Sequence, residues 1–258
     1  MPNGKLELTA ACCTHVGRVR KNNEDNLFFA GRILEKEHGN LEPPITKKGS
    51  LDGDPVCFSV FDGMGGESAG EAASFIAAET MKNELACSGD YLVNGRTLLE
   101  ELYEKINIRV CEASERLAHG RMGSTGVSLM FMADEVYLCS LGDSKAYRFR
   151  DNTLMQLSVD HLEMLPDWEK RKPRLTQHFG VFPDELTLEP SISKGELRKG
   201  DIYLLCSDGL TDMVSNVEIC AILKEPALSL AWTVKKLLKK ALAAGGKDNI
   251  TIICCKIC

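Results

Sequence analysis

No stretch of the 258-residue chain approaches the ~18 consecutive apolar residues that a bilayer-spanning helix needs, so no membrane association is expected. The opening MPNGKLELTA lacks a basic region followed by an apolar core, so no secretory signal is read there and a cytoplasmic location is expected. A cationic excess is missing too: net charge is −6 and the sequence pI is about 5.5. That argues against nucleic acid as the main partner, because such binding rests on neutralising phosphates with Lys and Arg. There is no long linker and no internal repeat. At roughly 100–200 residues per domain, the length allows one large domain or two small ones. A disulfide framework is not expected either, since eleven cysteines in such a chain read as reduced thiols.

What is present is an ordinary apolar content of 44%, enough for a core, and one stretch of unusual construction. Val56–Phe61 is an apolar run that ends in Asp62 and is followed by Gly63-Met64-Gly65-Gly66. It reads as a buried strand whose end carries a carboxylate, with glycines that let the backbone fold tightly just beyond. Before it, Leu6–Cys13 and Leu27–Ala30 read as strands around a polar loop, and 31–54 as a surface loop. After it, Ser68-x-x-Glu71 and Thr97-x-x-Glu100 read as capping boxes that open helices at about 68–86 and 97–118. From Gly123 the pattern turns to short strands, Val127–Met132, Glu135–Leu141, Ala146–Arg150 and Leu154–Val159, which form an antiparallel meander. Residues 161–184 read as an irregular, polar surface segment. Strands are expected at Leu186–Ile192, Asp201–Cys206 and Ile250–Ile257, with helices at Val217–Leu223 and Leu228–Leu242. The last helix should turn Trp232, Leu238 and Leu242 inward and Lys235, Lys236, Lys239 and Lys240 to solvent. Meanders with two long helices between them suggest an α+β sandwich.

Five aspartates share one local context. Asp62 and Asp208 close apolar strands and precede glycines, Asp143 follows Glu135–Leu141, Asp25 enters a strand, and Asp248 opens the last one. Singly each fits a turn; five at strand ends exceed what turns require. If they converge, the carboxylates repel and must share protons or be bridged by cations. An all-oxygen ligand set suits hard ions, Mg²⁺ or Mn²⁺. Two such ions about 4 Å apart can clamp a phosphoryl group and activate a water. Arg20, five residues before Asp25, can grip phosphate oxygens.

In series these residues resemble the metal-dependent Ser/Thr protein phosphatases of the type 2C class, in their compact bacterial form. The matches are Thr14-x-x-Gly17-x-x-Arg20-x-x-Asn23-Glu24-Asp25, Val60–Gly66 with Ala69-Gly70-Glu71, Gly123-Ser124-Thr125, Gly142-Asp143-Ser144, Asp160-His161, Ser207–Asp212 and Asp248–Thr251. They run in the family's order along nearly the whole chain. The resemblance implies a single domain over 1–258, built as a four-layer α-β-β-α sandwich of two antiparallel sheets flanked by helices. It implies Asp62 bridging two Mn²⁺ or Mg²⁺ ions, with Asp208 and Asp248 on one. The Gly63 carbonyl is implied on the other, where Glu24 and Asp25 mainly reach waters. Asp143 is implied at a third, weaker ion and Arg20 at the substrate phosphate. The implied reaction is single-step hydrolysis of protein phosphoserine or phosphothreonine by a metal-activated water. The implied partners are phosphoproteins and a cognate Ser/Thr kinase, in signal transduction, for a monomeric enzyme. The chain departs from the family at His15 (usually Asp), Glu67 (often His), Lys145 (usually Arg) and Met64. The last stands where eukaryotic members carry a histidine proposed as general acid. Residues 161–184 match the family's flap in shortened form.

Three rivals compete. Cys12 and Arg18 have the minimal spacing of a cysteine phosphatase, but Ala11 replaces the usual His and no helix start follows. Cys254, Cys255 and Cys258 could suggest zinc, yet on a strand Cys255 faces away from the other two. A catalytically weak or inactive phosphatase fold acting as a regulatory or binding protein would be signalled by lost aspartates, and none is lost.

Overall fold

The structure, a computed structural model, describes residues 6–65, 69–87, 94–116, 121–163, 173–226 and 229–258. In chain order its elements are β1 (Glu7–His15), β2 (Asp25–Phe29), β3 (Leu41–Ser50), β4 (Val56–Met64), α1 (Ala69–Cys87), α2 (Gly95–Ser114), β5 (Gly123–Ser124), β6 (Gly126–Met132), β7 (Glu135–Leu141), β8 (Lys145–Arg150), β9 (Thr153–Gln156), β10 (Ser191–Glu196), β11 (Ile202–Cys206), α3 (Asp208–Thr211), α4 (Asn216–Lys224), α5 (Leu230–Ala243) and β12 (Ile250–Ile257). One antiparallel sheet runs β3-β1-β12-β11-β8-β9; the other runs β10-β7-β6-β4-β2, with β5 on the end of β4.

The layering follows from strands that are apolar on both faces. Along β12, Ile253, Cys255 and Ile257 point between the sheets while Ile252 and Cys254 meet α4 and α5. Along β4, Phe58 and Val60 point between the sheets while Cys57 and Phe61 meet α1 and α2. A sheet buried on both sides needs a helical cover on its outer face, and the result is the expected α-β-β-α sandwich of the α+β class. Aromatic edges stitch the middle: Phe58 lies 5.1 Å from Phe29 and 6.0 Å from Phe131, and Phe131 lies 5.5 Å from Tyr203 of the facing sheet. Cys254 and Cys255 are buried on opposite faces of β12, as the strand period requires.

Several expectations are corrected. Residues 31–54 contain an edge strand, β3, hidden in the sequence because most of it is exposed and prolines at 43 and 44 are tolerated only at such an edge. The strand expected at Leu186–Ile192 lies later, at Ser191–Glu196, where a polar edge pairs with β7. The second helix is capped by the Asn94 carboxamide on the Arg96 N–H, and Thr97 sits inside its first turn. Ser68 of the first expected capping box lies outside the described residues. Trp232 is exposed, not inward, with the Lys236 ammonium 4.8 Å over its ring. The α5 lysines form a solvated face as expected, and Lys236 and Lys240 pair with Glu225 and Glu218 of the α4 region. Residues 161–184 are not purely a surface segment: Phe179 is fully buried, 5.0 Å from Tyr103 and 6.3 Å from Phe61. Among the described residues no helix is long and apolar enough to cross a membrane.

Candidate metal centre

The two sheets bring five strand ends to one edge of the sandwich. Asp25 begins β2 and Asp62 nearly ends β4, and the register sets them directly opposite each other. Asp208 follows the end of β11 and heads α3. Asp143 lies just beyond β7, and Asp248 just before β12. Like charges directly opposite in an antiparallel pair destabilise it, so the Asp25–Asp62 pairing has to be offset by something other than the strands.

A polar lattice holds the edge in place. Oδ2 of Asp25 accepts from the hydroxyls of Ser207 and Thr251, each at 2.7 Å. Thr14 lies 2.7 Å from the Thr251 hydroxyl and itself accepts from Asn23 at 3.0 Å, which completes a relay from Asn23 through Thr14 and Thr251 to Asp25. The Asn249 carboxamide clasps the loop before β2: it donates to Val16 and Asn22 carbonyls and accepts from the Glu24 N–H, each at 2.8 Å. On the other side Thr125 exchanges bonds with the backbone of Asp62, accepting from its N–H at 3.1 Å and donating its own N–H to the carbonyl at 2.9 Å. Its hydroxyl sits 2.7 Å from that of Ser144, next to Asp143. Gly63 and Gly70 let α1 approach: a Cβ on Gly63 would lie 2.1 Å from the Gly70 carbonyl oxygen and 2.6 Å from that of Glu24. His15 accepts from the Gly17 N–H at 2.8 Å and so serves the turn, while Lys145 still pairs with Asp160.

Charge accumulates accordingly. Burial first, then Asp25, Asp208, Asp143 and Asp248, drive the Asp62 carboxyl well above the usual carboxylate range. Burial raises Asp25 in the same sense, with the Thr251 and Ser207 bonds only partly offsetting it and Asp208 and Asp248 adding to it. Glu24 is raised by burial, with Arg20 opposing and Glu71 and Asp248 reinforcing. The other four strand-end aspartates therefore all act on Asp62.

The donors fit hard divalent ions. They are all oxygens, and buried Oδ1 of Asp25 has no hydrogen-bond partner, although such atoms are rarely left unsatisfied. Among the described residues no three acidic, histidine or cysteine side chains are already closed around a single ion position. Part of the reason is local: Asp248 gives Oδ2 to the Arg20 guanidinium at 2.7 Å and Oδ1 to the Asn249 N–H at 2.9 Å. Arg20 thus lies at the centre but faces a carboxylate, half-exposed. The rival thiol site is not assembled: Cys12 is fully buried with its pKa pushed far upward by burial, and Arg18 is exposed on a loop.

Residues 46–244 match the sequence profile described as Protein phosphatase 2C. The chain belongs to the protein phosphatase 2C family. A serine/threonine phosphatase of Listeria welshimeri is 31% identical over 255 residues, covering 93% of this chain and 92% of the relative. The serine/threonine protein phosphatase PstP of Mycobacterium tuberculosis is 30% identical over 96% of this chain, which spans only 45% of that relative's length. The PstP catalytic domain, solved in complex with two manganese ions, superposes with a TM-score of 0.70 at 28% identity, covering 98% of this chain and 99% of that one. Within this phosphatase 2C frame, sequence reasoning quoted Thr125, Ser207, Asn249 and Thr251 as motif residues and gave them no role; their hydroxyls and amides position the acids. Glu71, buried in the first turn of α1 and close enough to raise Glu24, is read from the sequence only as a capping-box partner and as part of the Ala69-Gly70-Glu71 match, with no place in the acidic edge.

Proposed function

We propose that residues 1–258 form one metal-dependent phosphatase domain that hydrolyses phosphoserine and phosphothreonine in proteins. The observation that carries this reading is that Asp25 pairs directly opposite Asp62 and that Asp143, Asp208 and Asp248 sit at strand ends close enough to raise the Asp62 carboxyl. Asp62 would hold both of two Mn²⁺ or Mg²⁺ ions, Asp208 and Asp248 one of them, and the Gly63 carbonyl with Glu24 and Asp25 the other; Asp143 would serve a third, weaker ion. When bound, such ions lower the pKa of a water and neutralise charge on a phosphoryl group. The protein's own work is to fix the acids on rigid strand ends, to bury Asp25 away from bulk water, and to present Arg20. The guanidinium has donors beyond the one given to Asp248, and these would bind a phosphate dianion bidentately. Met64 supplies no proton, so the leaving oxygen must take its proton from another group. Phosphoprotein substrates imply a cognate Ser/Thr kinase in a signalling pair, and the reading includes a monomer in the cytoplasm. Nothing favours the inactive alternative, because every expected acid is present.

Hydrolysis of a phosphothreonine peptide and of p-nitrophenyl phosphate should require Mn²⁺ or Mg²⁺ and vanish in EDTA, with excess ion restoring it. Persistence in EDTA together with loss on thiol alkylation would overturn the assignment. Arg20→Ala should raise KM roughly tenfold or more through the lost phosphate grip. Unchanged KM and kcat would remove Arg20 from the site.

A further inference from the structure

A cavity of about 530 Å³ opens beside the acidic edge, and the hydrolytic reading makes no use of it. Its near wall is Met64 and Gly65, which directly follow Gly63. The rest of its apolar surface comes from Met122, before β5, and from Leu175, Val181 and Leu186 of the segment after β9. The far rim is Arg121 and Glu185, joined by two charged hydrogen bonds, with the guanidinium 5.4 Å over the Phe182 ring. Each rim charge cancels the other, so the opening selects for neither sign.

The cavity is preformed. Gly180 has φ +92°, and a Cβ there would lie 2.3 Å from the Met122 carbonyl oxygen, so the outer wall packs directly on the inner one. The buried Asn107 side chain locks that contact: it accepts from the Gly180 N–H at 2.8 Å and donates to the Val181 carbonyl at 2.9 Å. Phe179, buried beneath, pairs its backbone with Ser124. A concave, mostly apolar, prebuilt space of this size is what a recognition pocket requires.

We propose that this cavity is a substrate-selecting subsite that takes a large aliphatic or aromatic side chain lying one to four residues from the phosphorylated Ser or Thr. The proposal rests on the phosphatase reading and deepens it. The occupant follows from continuity, because Met64 and Gly65 are both the cavity wall and the direct continuation of the strand end that carries Asp62 and Gly63. A peptide whose phosphate reaches the acids must run past this wall, and at about 3.3 Å per extended residue a neighbouring side chain falls within reach. With Arg121 and Glu185 paired to each other, the apolar lining favours an apolar side chain over Lys, Arg, Asp or Glu at that position.

The test is kcat/KM, in Mn²⁺, for phosphothreonine peptides scanned with Leu and with Asp at each position from −4 to +4. One position should favour Leu over Asp by roughly ten- to a hundredfold. Leu186→Asp should collapse that ratio toward one; Leu186 is itself exposed, so the change spares the core. Leu175→Asp, at a second lining position, should do the same. Wild-type protein that hydrolyses p-nitrophenyl phosphate yet treats all scanned peptides alike overturns the subsite and leaves the phosphatase reading standing. Preference fully retained in both variants overturns its location. Wild-type protein inactive on p-nitrophenyl phosphate and on peptides overturns the phosphatase reading, and the subsite with it.

Discussion

Asp62→Asn should lower turnover on a phosphothreonine peptide by at least about a hundredfold while making the metal-free protein more stable. The two effects share one cause. Asp62 stands opposite Asp25 across β2 and β4 and also feels Asp143, Asp208 and Asp248. Asparagine keeps the shape and leaves the backbone bonds to Thr125 intact, but it removes the charge around which the ligand set is built. Relief of one like-charged cross-strand pair is worth up to ~1 kcal/mol, or roughly 2–4 °C in melting temperature for a chain of this size. Burial first, and then the same repulsion, set a pH dependence. Asp25 and Asp62 hold protons to higher pH in the fold than in the unfolded chain. The stability they contribute is therefore present below the ordinary carboxylate pKa and lost as pH rises through the raised values, about 7 for Asp25. Metal-free wild type should lose melting temperature between about pH 4 and pH 7, and Asp62→Asn should lose less. A variant that melts below wild type across that range would mean that Asp62 is structural rather than part of a repelling cluster.

Gly63→Ala should cost roughly 3 kcal/mol or more, a fall of about 6–12 °C, and should take activity with it. The three atoms that a methyl would strike, the Gly70 carbonyl carbon and oxygen and the Glu24 carbonyl oxygen, are all backbone and cannot rotate away. Relief requires α1 to lift from β4 or the loop before β2 to shift, and the Gly63 N–H bond to the Glu24 carbonyl, 3.1 Å, ties that loop to the strand. Gly195→Ala is the control: its methyl would meet nothing closer than Val136 at 3.9 Å, so melting should be unchanged. Equal melting temperatures for the two variants would refute the close packing of α1 on the acidic edge.

The sequence announced what depends on local pattern and missed what depends on register. Val56–Phe61 and Ile250–Ile257 were legible because strands covered on both faces are apolar throughout. β3 and β10 were not, because polar edge strands carry no periodic signal. Phe179 is a single aromatic in a polar segment, and nothing local says that it plugs the space between Tyr103 and Phe61. The aspartates at the centre were visible one by one as strand-end carboxylates. That Asp25 faces Asp62 is a fact of strand pairing, and that Ser207 and Thr251 share Asp25 joins residues about 180 and 225 positions away. Neither is readable from composition or spacing. The exposed Trp232 shows the converse failure, since the buried stripe of α5 is Leu230, Thr233, Val234, Leu237, Leu238 and Ala241, and Trp232 lies off it.

The most direct test of the acidic edge as a cation centre is equilibrium Mn²⁺ binding, followed by calorimetry, to metal-stripped wild type and to Asp62→Asn. Wild type should take up two ions with a rise in melting temperature, and the variant should lose that uptake and that rise. Equal stoichiometry and affinity in the two proteins would contradict the convergence of the other four aspartates on Asp62.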